Sequence, residues 1–230
     1  MIKHRKEGKE RTRNAMRPVI ILDFDGVILE SVDVKTNAFR SLFSFSPYVD
    51  DIVRYHLKNG GMSRFEKFRY IYESILHEDL SDIRSHELSE KFSYLVEESV
   101  MDAPFVQGAE RFLEAAVSRS MLYIVSATPD HELKRIVHKK NISGYFAGVF
   151  GSPGKKPDHI HDIMAVQNLS PGDIIFVGDA LNDLAAAREC GIRFIGRTRP
   201  CGECVFKSER DVEYVVADMD ELLQYLVGKI

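Results

Sequence analysis

The chain has 230 residues, 44% hydrophobic and 29% charged, with a formal net charge of −4. That balance suits one globular core carrying a smaller module and excludes a disordered chain. There is no apolar run of about 18 residues and no apolar leader segment, so neither a transmembrane helix nor a secretory signal is expected, and the chain is read as cytoplasmic.

Residues 1–17 carry seven Lys or Arg against Glu7 and Glu10, which makes this segment +5 and the remainder −9. Basic tails can meet nucleic acid or anionic lipid. This one has no interleaved aromatic residues for base stacking and reads as a solvated extension. Pro18 closes it. Val19–Leu22 is a short apolar run that reads as a buried strand, and Asp23-Phe24-Asp25-Gly26 follows as the chain leaves it.

Residues 31–105 change in texture. Apolar positions recur at helical spacing, with Phe65, Phe68, Ile71, Tyr72 and Ile75 in one stripe and Phe92, Leu95 and Val96 starting another. This is a mostly helical module. Asn59-Gly60-Gly61 is a loop inside it, and Ser63 with Glu66 has the spacing of a capping box.

From residue 106 strands and helices alternate. Helices are expected over 109–116, 130–140, 158–167, 181–190 and 219–227, with Gly191 as a C-cap and Pro129 near the first turn of the second. Strands are expected over 121–125, 147–150, 173–177, 192–195 and 214–217. Such alternation predicts an α/β fold with a largely parallel sheet. The predicted organisation is a tail (1–17), a core (18–30 and 106–230) and a helical cap (31–105).

In open parallel sheets the chemistry lies at the carboxyl ends of the strands. Asp23 and Asp25, Ser126, and Asp179 all fall at predicted strand ends. A carboxylate becomes an effective nucleophile when a cation neutralises both it and an incoming phosphate. Magnesium prefers oxygen ligands, and Asp23, Asp179 and the main-chain carbonyl of Asp25 suit it. The Asp25 side chain is then free for acid and base work. Ser126, a lysine in the Gly154-Lys155-Lys156-Pro157 loop, and the amides near Gly26 are candidate donors to the phosphoryl oxygens.

Four segments together resemble the haloacid dehalogenase-like hydrolase superfamily. Asp23-Phe24-Asp25-Gly26-Val27 is similar to its first motif, and Ile124-Val125-Ser126-Ala127-Thr128 to its second. Lys156-Pro157 is similar to its third, with Lys155 a competitor, and Gly178-Asp179-Ala180-Leu181-Asn182-Asp183 to its acidic fourth. The resemblance implies Asp23 as nucleophile and Asp25 as acid/base. It also implies Ser126 and Lys156 as phosphate-binding catalytic groups, Gly26 and Ala127 as further substrate contacts, and Asp179 and Asp183 as ligands of Mg2+. The insert position resembles the phosphoglycolate phosphatase-like and beta-phosphoglucomutase-like subgroup, which implies a Rossmann-like sheet of order 3-2-1-4-5. Gly60-Gly61-Met62-Ser63-Arg64 resembles a cap segment in which an Arg meets substrate, so Arg64 is a substrate-binding candidate.

The implied reaction is hydrolysis of a small phosphomonoester, a sugar phosphate or a phosphorylated short acid, through an aspartyl-phosphate. A phosphomutase is the alternative, and a non-catalytic binding protein a weaker one, since none of Asp23, Asp25, Lys156 and Asp179 is missing. A small phosphorylated metabolite is the expected partner, without nucleic acid or membrane, and the chain is expected as a monomer or weak dimer. Cys201 and Cys204 form one C-x-x-C pair. Zinc needs four ligands and no second pair exists, so they read as loop thiols.

Overall fold

The computed structural model describes residues 17–199 and 204–227, without the side chains of residues 97 and 98. The basic tail, apart from Arg17, and Cys201 lie outside the described residues. No helix among the described residues is long and apolar enough to cross a membrane.

Six parallel strands form one sheet: β1 (Val19–Leu22), β2 (Met121–Pro129), β3 (Phe146–Ser152), β4 (Ile174–Gly178), β5 (Arg193–Arg197) and β6 (Tyr214–Val216). Their order is β3-β2-β1-β4-β5-β6, the expected 3-2-1-4-5 with one further edge strand. The sheet is central because β1 is apolar at every position and buried at every position. Side chains alternate across a strand. Ile20 and Leu22 therefore join one apolar cluster and Val19 and Ile21 the other.

The helical insert follows β1. It contains α1 (Val32–Leu42), α2 (Val49–Lys58), α3 (Arg64–Tyr70), which continues as a π-helical turn over Ile71–Leu76, and α4 (Asp82–Asp102). Phe39 is its hub, with the rings of Phe92 and Phe68 centred 4.8 and 5.7 Å away. Ser63 and Glu66 exchange the two reciprocal bonds of a capping box at the start of α3, as their spacing predicts. Leu95, assigned to a buried stripe from its spacing, is 40% exposed. It lies one residue off the Phe92–Val96 line that faces the core. The two connections to the core run side by side: Glu30 N–H donates to Pro104 C=O at 2.9 Å, and Leu29 bridges Phe105.

Helices α5 (Ala109–Ala116), α6 (Asp130–Lys139) and α9 (Met219–Leu226) cover one face of the sheet, and α7 (Lys156–Gln167) and α8 (Leu181–Cys190) the other. Several boundaries differ from the sequence reading, and two of them bear on the site. The β2 strand passes Ser126 and runs to Pro129, because β3 continues to Ser152 and pairs with Pro129 across an irregular stretch after Val125. Lys156, expected in a loop, is the first residue of α7. Pro157 permits this early start, because a first-turn residue needs no amide donor.

Arg197 ends β5 and is 2% exposed. Its guanidinium reaches Ala217 C=O at 3.0 Å, Gly26 C=O at 3.1 Å and the Glu30 carboxylate. One side chain thus ties the sheet's edge to the loop after β1 and to the first cap connection. Truncation leaves buried acceptors without a donor. Arg197→Ala is expected to lower stability by about 3 kcal/mol, read as a fall in the urea midpoint without a change in m-value.

Candidate active site

Three carboxylates converge at the carboxyl ends of β1 and β4. Asp23 follows β1, and its N–H still pairs with Val177 C=O at 2.9 Å. Asp179 follows β4, and Asp183 sits in the first turn of α8, where its Oδ2 accepts from Ala180 N–H at 3.1 Å. One oxygen of each lies within 4.8 Å of the others. Asp183 is fully buried rather than exposed, as a surface residue of a first helical turn would be.

Lys156 enters from the start of α7. Its Nζ donates to Asp183 Oδ1 and lies 3.2 Å from Asp23 Oδ1. Lys155, at the N-cap, is exposed. Asp23 Oδ1 is buried, within ion-pair range of Lys156 but without a well-aligned hydrogen bond. Fully ionised, the three carboxylates and one ammonium would carry an excess of two negative charges. Burial raises the Asp23 pKa to about 7, with Lys156 opposing and Asp183 and Asp25 adding to the rise. Burial, then Asp183 and Asp23, also push Asp179 well above the carboxylate range. Burial opposes the Lys156 charge, but Asp183 and Asp23 outweigh it and lift its pKa. Hard oxygen donors with this excess charge fit a divalent cation such as magnesium.

Gly26 allows the approach of Asp179. Its φ is +77°, and a Cβ there would lie 2.1 Å from Asp179 Oδ2. Glycine meets both demands.

The model of haloacid dehalogenase-like hydrolases matches residues 18–191. The chain belongs to this family. It is similar to the phosphoglycolate phosphatase of Vibrio vulnificus, 25% identical over 222 residues that cover 91% of this chain and 96% of that protein. That of Psychrobacter arcticus is 23% identical over 192 residues, 78% of this chain and 83% of the relative. Among solved structures, a haloacid dehalogenase-like hydrolase from Streptococcus pneumoniae superimposes with a TM-score of 0.71 at 24% identity, covering 91% of this chain and 98% of that one. CbbY from Rhodobacter sphaeroides, solved with phosphate, gives 0.70 at 16% identity, with coverages of 90% and 96%. The helical cap between the first and second motifs is that of the phosphoglycolate phosphatase and CbbY-like subgroup of the haloacid dehalogenase-like family.

The second aspartate of the family's first motif is turned away from the first. The Asp25 carboxylate does not join the acidic cluster and accepts instead from Ser31 Oγ at 2.6 Å, Thr128 Oγ1 at 2.9 Å and Lys35 Nζ. Ser31 holds the N-cap position of α1 but spends its hydroxyl on Asp25 rather than on the helix. Lys35 lies four residues on, hence on the same helix face. Thr128 lies two residues beyond Ser126 on β2, and its N–H donates to Ser126 Oγ at 3.2 Å. Lys35 and Thr128 were missed from sequence. The i, i+4 spacing of Ser31 and Lys35 after an acidic loop was the available signal, but it does not say where α1 docks.

Ser126, Ala127, Thr128 and Arg64 line the same cavity of about 590 Å³ as Asp23, Asp25 and Asp179. Lys156 and Asp183 do not line the cavity; Lys156 contacts Asp23, which does. Arg64 is not a free cation. It is buried, makes two 3.0 Å bonds to the Glu132 carboxylate on α6, and donates to Ser93 Oγ at 2.7 Å. Arg64 thus lines the cavity and also ties the cap to the core through Glu132, which neutralises its charge.

Burial alone would raise the Asp25 pKa, but the Lys35 charge and the bonds from Lys35, Ser31 and Thr128 outweigh it and hold it below the usual value. A depressed carboxylate stabilises the fold above its unfolded pKa, about 3.9, and that contribution fades as pH falls through the lower folded value. Lys35→Met leaves burial opposed only by the two hydroxyls. The Asp25 pKa is then expected to rise, read by NMR titration of its carboxyl carbon, and stability at neutral pH to fall.

Proposed function

We propose that this protein hydrolyses a small phosphomonoester with magnesium, Asp23 forming an aspartyl-phosphate and Asp25 serving as acid and base. The observation that carries the reading is the division of the two first-motif aspartates. Asp23 faces an acidic cluster and Lys156, while Asp25 is held on the other side of the loop by Ser31, Thr128 and Lys35. Family membership and the phosphoglycolate phosphatases among its relatives support it.

Asp23, Asp179 and Asp183 would hold the metal, with the Asp25 carbonyl as a further oxygen. When bound, it neutralises the carboxylates and the phosphoryl oxygens. An Asp23 oxygen attacks phosphorus, and the bond to the ester oxygen breaks. Asp25 gives its proton to the leaving alkoxide. In the free site Lys35 keeps Asp25 ionised, but a phosphoryl group beside it adds negative charge and raises its pKa. The reaction requires that Asp25 carry its proton when the ester oxygen leaves. Once ionised, it takes a proton from the water that attacks the aspartyl-phosphate, and inorganic phosphate leaves Asp23 free. Lys156 and Ser126 balance and orient the phosphoryl oxygens through an ammonium and a hydroxyl. Release of inorganic phosphate separates this reaction from a phosphomutase, which returns the group to the substrate.

Asp23→Asn is expected to abolish turnover and phosphorylation of the protein, checked by mass spectrometry of the quenched reaction. Phosphate found on another residue would overturn the assignment. Asp25→Asn is expected to lose about 10²–10⁴-fold in kcat on alkyl phosphates and less in the first step with an aryl phosphate, whose leaving group needs little protonation. Asp179→Ala is expected to weaken magnesium binding measured by titration calorimetry. An unchanged affinity would remove Asp179 from the metal set.

A further inference from the structure

Helix α3 aims two buried cations inward, three residues apart on one face. Arg64 is 5% exposed and is neutralised by Glu132. Lys67 is 4% exposed, and its described polar contact is with a neutral group, His56 Nδ1 at 3.1 Å. Burial first, then the charge of Lys67, pushes the His56 pKa to about 2, so the imidazole is neutral and its Nδ1 accepts. His56 in turn stacks on Phe39 with ring centroids 4.2 Å apart.

Among the described residues no carboxylate lies within ion-pair distance of Lys67. Burial, then the charge of Lys35, lowers its pKa to about 7, with Asp25 and Asp179 of the same cavity opposing the fall without contacting it. A buried ammonium without an anion costs stability, and Met would fill the same space without that penalty. Yet Lys67 lines the cavity that holds Asp23, Asp25 and Asp179, beside Phe39, Met62 and Phe92. Apolar walls strengthen its attraction for an anion in the cavity. The cavity volume, about 590 Å³, is that of sites for drug-sized ligands and exceeds what a phosphorylated two-carbon acid fills.

We propose that Lys67 forms a specificity subsite for a carboxylate at the end of the substrate remote from the phosphoryl group, in a molecule of phosphorylated sugar-acid size. A single ammonium matches a singly charged carboxylate. The metal side of the cavity handles the phosphoryl group, and Lys67 reads the other end from the cap. This rests on the phosphatase reading of the same cavity.

The test compares kcat/KM of the full chain with magnesium on 6-phosphogluconate and on sorbitol 6-phosphate, which match in length but differ in the carboxylate. Fructose 1,6-bisphosphate, 2-phosphoglycolate and p-nitrophenyl phosphate are run beside them. The wild type is expected to prefer 6-phosphogluconate over sorbitol 6-phosphate by about tenfold or more, and over 2-phosphoglycolate as well. Lys67→Met and Lys67→Gln are expected to bring the first ratio to about one, chiefly through KM, while Lys67→Arg retains a preference. Equal use of the matched pair by the wild type, or a ratio unchanged in both neutral variants, would overturn the proposal. A stronger preference for the bisphosphate would overturn the carboxylate assignment, and 2-phosphoglycolate as the better acid would overturn the size assignment. Turnover of p-nitrophenyl phosphate reports the phosphatase reading separately. If the wild type hydrolyses none of these, calorimetric titration with the matched pair reads the subsite directly, and equal affinities would overturn it.

Discussion

The convergence of Asp23, Asp179 and Asp183, with Lys156 paired to the first and last of them, governs the rest of the molecule. Carboxylate oxygens within 4.8 Å of one another repel, and burial makes each charge costly. The fold can hold them there only by fixing their backbones independently of that repulsion. Neighbouring parallel strands do this. Asp23 is anchored by its amide to β4, Asp183 by Ala180 at the start of α8, and Lys156 by the first turn of α7. Gly26 removes the one Cβ that would push Asp179 out. The excess negative charge is then a property of the scaffold, and it attracts cations.

A second consequence concerns Asp25. Two aspartates separated by one residue would behave alike if they shared one environment. Here the sheet end presents Asp23 to the acidic cluster, and the turn presents Asp25 to a hydroxyl, a second hydroxyl and an ammonium from three elements. The first carboxylate is pushed up in pKa and the second down. Opposed shifts in carboxylates two residues apart show that the fold gives them different electrostatic environments. The cap is part of this division, since Ser31 and Lys35 belong to its first helix.

The cap also closes the cavity from above. Gly60 and Gly61 lie close enough to Ala180 that a Cβ on either would approach its methyl to 3.3 Å, so a cap loop sits directly on the acidic loop after β4. Arg64 ties α3 to Glu132 of the core, and Arg197 ties the core's edge to the first cap connection. These ties keep the apolar walls of Phe39 and Phe92 over the charged floor, which makes every ion pair inside stronger than it would be in water.

Local chemistry was enough to read much of this chain. A four-residue apolar run followed by Asp-Phe-Asp-Gly reads as a strand and its polar end, because burial and its interruption are visible residue by residue. The alternation after residue 106 yields the parallel sheet, and with the family resemblance the 3-2-1-4-5 order. The Ser63–Glu66 box and the Gly191 cap depend on contacts three or four residues apart, and both are present. What the sequence did not show depended on distant partners. The extension of β2 past Ser126 needs β3 beside it, and the exposure of Leu95 needs the direction from which the cap packs. Arg64 is occupied because Glu132, 68 residues away, happens to face it. Lys35 matters because α1 docks over the turn that carries Asp25. Lys67 stands apart from Arg64 only because the fold brings one a carboxylate and the other a neutral ring. Residue types and spacing determine which groups reach the strand ends. Which charges are balanced there is settled by side chains from remote segments, and only the tertiary structure brings those together.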